Sequence, residues 1–451
     1  MPNRIKSSAL NWEMPVACLV MWASLWLNLN AGLKSIVIPQ SYGEWQLAVR
    51  AILPSLILPT AAAMLVLHRQ AFKIPTFGPS RLLFFYGFIA AVAAVFSPYP
   101  DWSIYWSVAF LATIMAAWTF TLTRRAVYTT RQMLQLTWGV TLIVAAIIAF
   151  TGRGAVFGDA GPQHEIMNDL NGLSRSSGVA RWAAVPGLVC LLKAFRTRRL
   201  VATACFLGIA GVAFFIVYRM HSRGAIFGTI VALAFALAVE NRMRRFALPL
   251  LLVMAVVLIA IESPELLSDR ISEYLLRRQN VEEFQSMTGR TRAYQAGFKA
   301  FLDAPFVGRG QWADRLVIGE HAHNSYVQAF LNAGALGGLP YVASWFAGWF
   351  LFFRLFRRRS KLLPEDRTTL MEAGTVMMFF TVRSFPETTT ASFSVDLLVM
   401  AAVYVYLECL ANSLQRRRPK ISPDSWAGGE HVRIQGRTNK RIERECLAPT
   451  R

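Results

Sequence analysis

Long apolar runs separated by short polar interruptions dominate the chain. Runs of spanning length recur at 14–33, 47–67, 82–97, 102–122, 134–150, 178–195, 200–218, 224–240, 246–261, 324–353, 370–386 and 393–411. Each approaches the ~20 residues a helix needs to cross a hydrocarbon core ~30 Å thick. A backbone in lipid must satisfy its own hydrogen bonds, so runs of this length predict helices. The pattern predicts an all-α polytopic membrane protein of about twelve transmembrane helices. The first run follows Arg4 and Lys6, as the core of a signal peptide would, but its length and the runs behind it predict an uncleaved first helix.

The polar interruptions alternate in charge. Basic clusters fall in every second loop: Arg69, Lys73 and Arg81; Arg124, Arg125 and Arg131; Lys193, Arg196, Arg198 and Arg199; Arg242, Arg244 and Arg245; Arg354, Arg357, Arg358, Arg359 and Lys361. The positive-inside rule makes these loops cytoplasmic, together with both termini. This divides the chain into helices 1–9 over 1–261, a periplasmic loop domain over 262–323 between helices 9 and 10, helices 10–12 over 324–414, and a basic cytoplasmic tail over 415–451. A second polar, glycine-rich segment, 151–177, faces the same outer side. Within the large loop, Pro264–Leu276 and Thr291–Leu302 are expected to be short helices, the second with Tyr294, Phe298 and Phe301 on one face.

Composition narrows the function classes. With 55% hydrophobic and 16% charged residues, against about 25% charged in soluble proteins, an ordinary soluble enzyme is excluded. The net charge of +21 lies in topology-setting clusters and shows no basic face with interleaved aromatics, so no nucleic-acid partner is expected. Cys18, Cys190, Cys205, Cys409 and Cys446 fall in spans or in the tail and are expected to pack as small apolar residues, without disulfides.

Ionisable groups beside hydrocarbon are costly and mark candidate chemistry. Three such clusters face the outer side. The turn Tyr218–Ala225 carries Arg219 and Arg223, the latter where a helix begins and a cation opposes the helix dipole. The segment Thr288–Arg292 carries Arg290 and Arg292 at a glycine-bearing helix start, where a guanidinium fork and free N–H groups suit a phosphate. The segment Glu320–Tyr326 holds His321, His323 and Asn324 where the large loop re-enters the membrane; histidine is the usual proton carrier near neutral pH. Two histidines at i and i+2 without a cysteine or an H-E-x-x-H spacing do not predict a metal site. Lipid snorkelling for Arg219 and Arg223, a solvated loop arginine for Arg290, and helix capping for the histidine are the structural alternatives.

At these residues the chain resembles the O-antigen ligase and polymerase superfamily of membrane glycosyltransferases. His323, Asn324, the nine residues Ser325–Ala333, Gly334 and Gly337 match the ligase signature, in which a histidine and a polar residue precede G-x-x-G by nine positions. Ser222–Ala225, the Gly289–Arg290 pair and the G-x-G of Gly308 and Gly310 follow the family's order, and the resemblance is strongest over 215–345. It implies an inverting transfer of a glycan from undecaprenyl diphosphate, without metal or other cofactor, in the bacterial inner membrane with the site facing the periplasm. It further implies His323 as general base and Arg223 and Arg290 as stabilisers of the diphosphate, with Arg219, His321, Asn324 and Arg292 in support. The acceptor is a lipid A core, another glycan or a protein hydroxyl, according to whether the chain is a ligase, a polymerase or a protein oligosaccharyltransferase. A polysaccharide-related carrier or flippase is the reading from another class; carriers, however, place charges at mid-membrane.

Overall fold

The computed structural model of the protein describes residues 13–28, 43–68, 78–151, 176–220, 222–240 and 290–416. The expected ninth span, the loop 152–175, the expected helix Pro264–Leu276 and the tail beyond 416 lie outside them. A compact unit comprises 1–412 and a second one 413–451. The described residues form helices joined by turns, with no strand among them.

The helices are α1 (Glu13–Asn28), α2 (Gly43–Leu67), α3 (Pro79–Ala93), α4 (Pro100–Thr119), α5 (Ala126–Thr151), α6 (Ser176–Arg196), α7 (Leu200–Arg219), α8 (Arg223–Val239), α9 (Arg290–Leu302), α10 (Ala313–Val317), α11 (Ser325–Arg357), α12 (Pro364–Arg383) and α13 (Val395–Arg416). Six of the described helical segments are long and apolar enough to cross a membrane: Pro79–Phe96, Pro100–Leu122, Ser177–Arg196, Leu200–Arg219, Ser325–Arg357 and Val395–Gln415. Shorter apolar helices occupy Met14–Trp26, Ile52–Leu67 and Arg223–Val239. Helix α13 is buried along most of its length and forms the centre of the bundle, whereas α7 is mostly exposed and peripheral. Around this centre α3 packs on α11, α2 on α4, α6 on α7 and α8 on α12.

The apolar run 324–353 is not one straight helix. At Gly334 the backbone takes φ 56° and ψ −160°, which divides α11 into a short arm, 325–333, and a long helix, 335–357. An interruption of this kind frees two carbonyls and two N–H groups that the next helical turn would have paired. The loop after α9 takes up all four. Arg309 N donates to Leu331 O (2.9 Å) and Gly310 N to Asn332 O (2.8 Å), while Ala335 N donates to Pro305 O (2.7 Å) and Leu336 N to Phe306 O (3.0 Å). The two glycines that matter here are reciprocal. A Cβ on Gly334 would strike the Phe306 carbonyl, and one on Gly308 (φ 78°) would strike the Gly334 and Ala333 amides. Gly334 therefore breaks the helix that the apolar run 324–353 predicted as one span.

A buried polar knot locks the same loop down. Asn332 Nδ2 donates to Tyr86 Oη (2.9 Å) and Gln311 Oε1 (3.2 Å), and Asn332 Oδ1 accepts from Gln328 Nε2 (2.8 Å) and Ala313 N (3.2 Å). Gln328 Nε2 also reaches Asp314 Oδ1 (3.0 Å), whose other oxygen accepts from Ala322 N (3.2 Å). Burial pushes the Asp314 carboxyl up, although these bonds oppose the shift. Trp312, in the left-handed region at φ 66°, stacks on Trp106 at 4.5 Å. Helix α9 forms where expected, and of its aromatic face Tyr294 is half-buried and Phe301 packs on Phe330 of α11 at 5.5 Å. Ala293, Gly297 and Ala300 are buried toward α11, and Phe298 is exposed. Small residues let the helices approach closely; a Cβ on Gly297 would meet the Val327 side chain.

Candidate functional site

The site is built where the short arm of α11 begins. Asn324 is the helix N-cap: its Oδ1 accepts from Tyr326 N (2.8 Å) and Val327 N (3.0 Å), satisfying two of the free N–H groups of the first turn. The α12–α13 loop clasps this start. Ser384 O accepts from Ser325 N (2.9 Å), Phe385 O from Asn324 Nδ2 (3.0 Å) and Glu387 O from Ser325 Oγ (3.0 Å); Thr389 N donates to Ser325 Oγ (2.7 Å).

His323, immediately before the cap, has φ 49°, an uncommon conformation for a residue with a side chain. Its surroundings hold it there. The Tyr294 hydroxyl donates to His323 O at 3.2 Å and lies 3.4 Å from Phe385 O, tying α9 to the clasp. His323 N donates to His321 Nδ1 (2.9 Å), and the two imidazole centres lie 4.4 Å apart. Backbone strain that several contacts over-determine is commonest at functional sites.

The clasp also delivers a residue that sequence reasoning missed. Glu387 places Oε2 3.8 Å from His323 Nδ1 and Oε1 3.3 Å from Arg290 Nη2. The first is an ion-pair separation longer than a hydrogen bond, and His323 Nδ1 is buried with no hydrogen-bond partner among the described residues. Burial pushes the Glu387 carboxyl up, but His323 and the charges of Arg383 and Arg290 outweigh it and hold it down at about 2. Glu387 is therefore a carboxylate at any working pH. Burial likewise pushes the Tyr294 phenol up, against the charge of Arg290.

The cations are arranged around this carboxylate. Arg290 opens α9; Arg223 opens α8, close enough for the two charges to act on each other. The residue after Arg223, Gly224, sits against Pro386, so the start of α8 abuts the clasp beside Glu387. Arg383, the last residue of α12, is 2% exposed, and its Nε and Nη1 have no hydrogen-bond partner among the described residues. Arg181 of α6 pairs with Asp396 of α13 at 3.2 Å, and both act electrostatically on Arg383.

Of the expected residues, the structure thus brings His323, His321, Asn324 and Arg290 together, with Arg223 adjacent. Arg219 ends α7, where a cation suits the helix dipole. Arg292 is exposed on α9, off the face that meets α11. Sequence reasoning passed over Glu387, Arg383 and Tyr294. Glu387 left a signal: an acid at the edge of an apolar run, the same criterion that selected Arg223.

The group can hold a diphosphate among guanidinium forks and remove a proton with an imidazole. Among the described residues no cluster of three or more histidine, cysteine or acidic side chains is spaced to hold a metal ion. No curated protein matches the chain. Residues 207–342, which contain Arg223, Arg290 and His323, match the family model described as O-antigen ligase, and this match supports the chain's place in the O-antigen ligase superfamily.

Proposed function

We propose that the protein transfers a glycan from an undecaprenyl-diphosphate-linked donor to an acceptor hydroxyl on the periplasmic face of the bacterial inner membrane, as a ligase of the O-antigen type. The observation that carries this reading is the meeting of His323, Glu387 and Arg290, with Arg223 beside them, at the rim of the apolar bundle. Transfer with inversion needs a base for the acceptor proton and positive charge for the leaving diphosphate. His323 is the base in this reading. Its imidazole takes the proton as the acceptor oxygen attacks the anomeric carbon, the bond from that carbon to the diphosphate oxygen breaks, and the electron pair leaves with the diphosphate. Arg290 and Arg223 receive the charge that develops there. His321 and Asn324 hold the loop that presents His323; Arg219 and Arg292 extend the positive rim toward the donor.

The test is complementation in a strain lacking its own copy of the gene. Wild-type protein restores transfer of the lipid-linked glycan to its acceptor; His323→Ala and Arg223→Ala, at unchanged protein level, do not. Full activity in both variants would sink the mechanism. The deletion strain also separates ligase from polymerase. Accumulation of undecaprenyl-linked long chains marks a ligase, and a core capped by a single repeat marks a polymerase. Normal glycans with loss of an unrelated solute's uptake would mark a carrier.

A further inference from the structure

We propose that Glu387 is the positioning residue of the site, one carboxylate that sets the His323 imidazole and the Arg290 guanidinium in register with each other. This inference rests on the glycan-transfer reading and adds the acid to it.

Three observations converge on the role. First, the two oxygens of Glu387 are divided between partners of different duty: Oε1 faces Arg290 Nη2 at 3.3 Å and Oε2 faces His323 Nδ1 at 3.8 Å. Second, the backbone around the acid is fixed. Glu387 N donates to Arg383 O (3.0 Å), Glu387 O accepts from Ser325 Oγ (3.0 Å), and Ser325 Oγ is also bound by Thr389 N (2.7 Å). The carboxylate is thus carried by the loop that clasps the residues directly after His323. Third, the acid is 16% exposed and stays ionised because positive groups surround it. The groups facing it are Arg290 and Tyr294 from α9, Arg383 from the end of α12 and His323 from the segment before α11; Arg223 of α8 acts on Arg290.

Such an arrangement decides which imidazole nitrogen works. With Nδ1 turned to the carboxylate, Nε2 is the atom left for the acceptor hydroxyl. When Nε2 takes the acceptor proton, the new imidazolium charge lies against Glu387. The electron pair stays on the departing diphosphate oxygen, and Arg290, which the same carboxylate holds in place, meets the charge that develops there. A base at one end and a cation at the other are then spaced by one rigid loop. The donor diphosphate and Glu387 compete for Arg290, so the acid also tempers how tightly the product diphosphate is held.

The experiment uses the full chain in lipid vesicles with a lipid-linked glycan donor, and compares kcat and donor KM of Glu387→Gln, Glu387→Asp and His323→Ala. Glu387→Gln lowers kcat about 10- to 100-fold, with a smaller change in donor KM, because orientation of the base is lost and the binding arginines remain. Glu387→Asp keeps the charge and restores part of the turnover. Wild-type turnover in Glu387→Gln, with His323→Ala inactive, would overturn the positioning role and leave the transfer reading standing. An active His323→Ala would overturn both. If Glu387→Gln does not fold, Glu387→Asp decides alone: a wild-type kcat overturns the role, and a reduced kcat with a nearly unchanged donor KM sustains it.

Discussion

Charged side chains gather at both ends of the bundle, and the two gatherings differ in balance. Helices α6, α8 and α12 reach both. At one end Arg196 pairs with Glu240 at 2.6 Å and donates to Thr368 O (3.0 Å); Lys193 Nζ donates to Gln135 (2.8 Å), which donates to Glu372 (3.2 Å); and Arg131 faces Asp366 (3.3 Å) and Glu365 (3.7 Å). There each of these three cations is matched by an acid or an amide, and the pairs tie α5, α6, α8 and α12 together. At the other end Arg181, Arg223, Arg290 and Arg383 gather around two carboxylates, Glu387 and Asp396. A cluster between helices in which every cation has its partner is a fastener. A cluster with surplus positive charge at the rim of an apolar bundle is suited to an anion from outside the chain.

The sharpest way to break this contrast is to remove one cation from each end. Arg290→Ala at the surplus end is expected to cut transfer per folded molecule by about 100-fold or more, whatever midpoint is lost by leaving Glu387 one cation short, because its work lies in charge stabilisation. Arg196→Ala at the balanced end leaves Glu240 and the Thr368 carbonyl without their donor. With both side chains less than a fifth exposed, it is expected to cost about 1–3 kcal/mol of stability, with activity per folded molecule retained. Thermal denaturation in detergent and transfer assays normalised to folded protein separate the outcomes. A loss of transfer in Arg196→Ala as deep as in Arg290→Ala would erase the distinction.

A second prediction concerns what carries the surplus end. Gly334→Ala forces a side chain onto φ 56°, ψ −160° and into the Phe306 carbonyl, and is expected to cost about 3 kcal/mol or more, by strain and by loss of the crossed hydrogen bonds. Ala343→Gly, farther along the same helix, costs about 1 kcal/mol as an ordinary helical glycine. Equal midpoints for the two variants would mean that the break is not needed to seat the loop.

The same elements show how much was legible in the sequence. Hydropathy placed the apolar helices α3, α4, α6, α7 and α13 well, because apolar runs of that length admit few other structures. It read through Gly334, since a change in φ leaves hydropathy untouched; only the pairing of G-x-G at 308–310 with a glycine inside an apolar run marked the place. His323 and Arg223 stood out as polar residues bordering apolar runs, and Arg290 at a glycine-bearing helix start. Glu387 borders a run as well, but its partnership was not legible, because its partners come from distant α9 and from the start of α11, and no spacing in the chain encodes that meeting. The aromatic face expected of α9 holds in part, with Phe301 packed on Phe330 and Phe298 exposed, because small residues, counted as weakly apolar, share the interface by letting the helices approach.

A third prediction uses pH to weigh the carboxylate. The Glu387 carboxyl lies below its ordinary value of 4.5, at about 2, so its contribution to stability is complete above about pH 4.5 and is lost as the pH falls through about 2. Glu387→Gln should therefore be less stable than wild type by on the order of 3 kcal/mol from neutral pH down to about 5, and the gap should close only in more acid solution. A gap that closes near pH 6 would mean that the acid is not held by Arg290, Arg383 and His323.

The smallest effect separates fastening from chemistry inside the site itself. Asn324 lies next to His323, yet both ends of its amide are engaged: Oδ1 by Tyr326 N and Val327 N, and Nδ2 by Phe385 O. Asn324→Ala removes the cap and is expected to cost about 1 kcal/mol. Asn324→Ser keeps a cap oxygen and loses the bond to Phe385, so it should recover most of that stability. If the role of Asn324 is to hold the start of α11, transfer follows stability across the pair, with Ser near wild type and Ala modestly impaired. If its amide instead meets the glycan, Ser falls as far as Ala while its midpoint recovers. The serine variant thus sorts Asn324 with the fasteners at the balanced end or with the binding groups around Glu387, at a cost in stability small enough for the activity to be read directly.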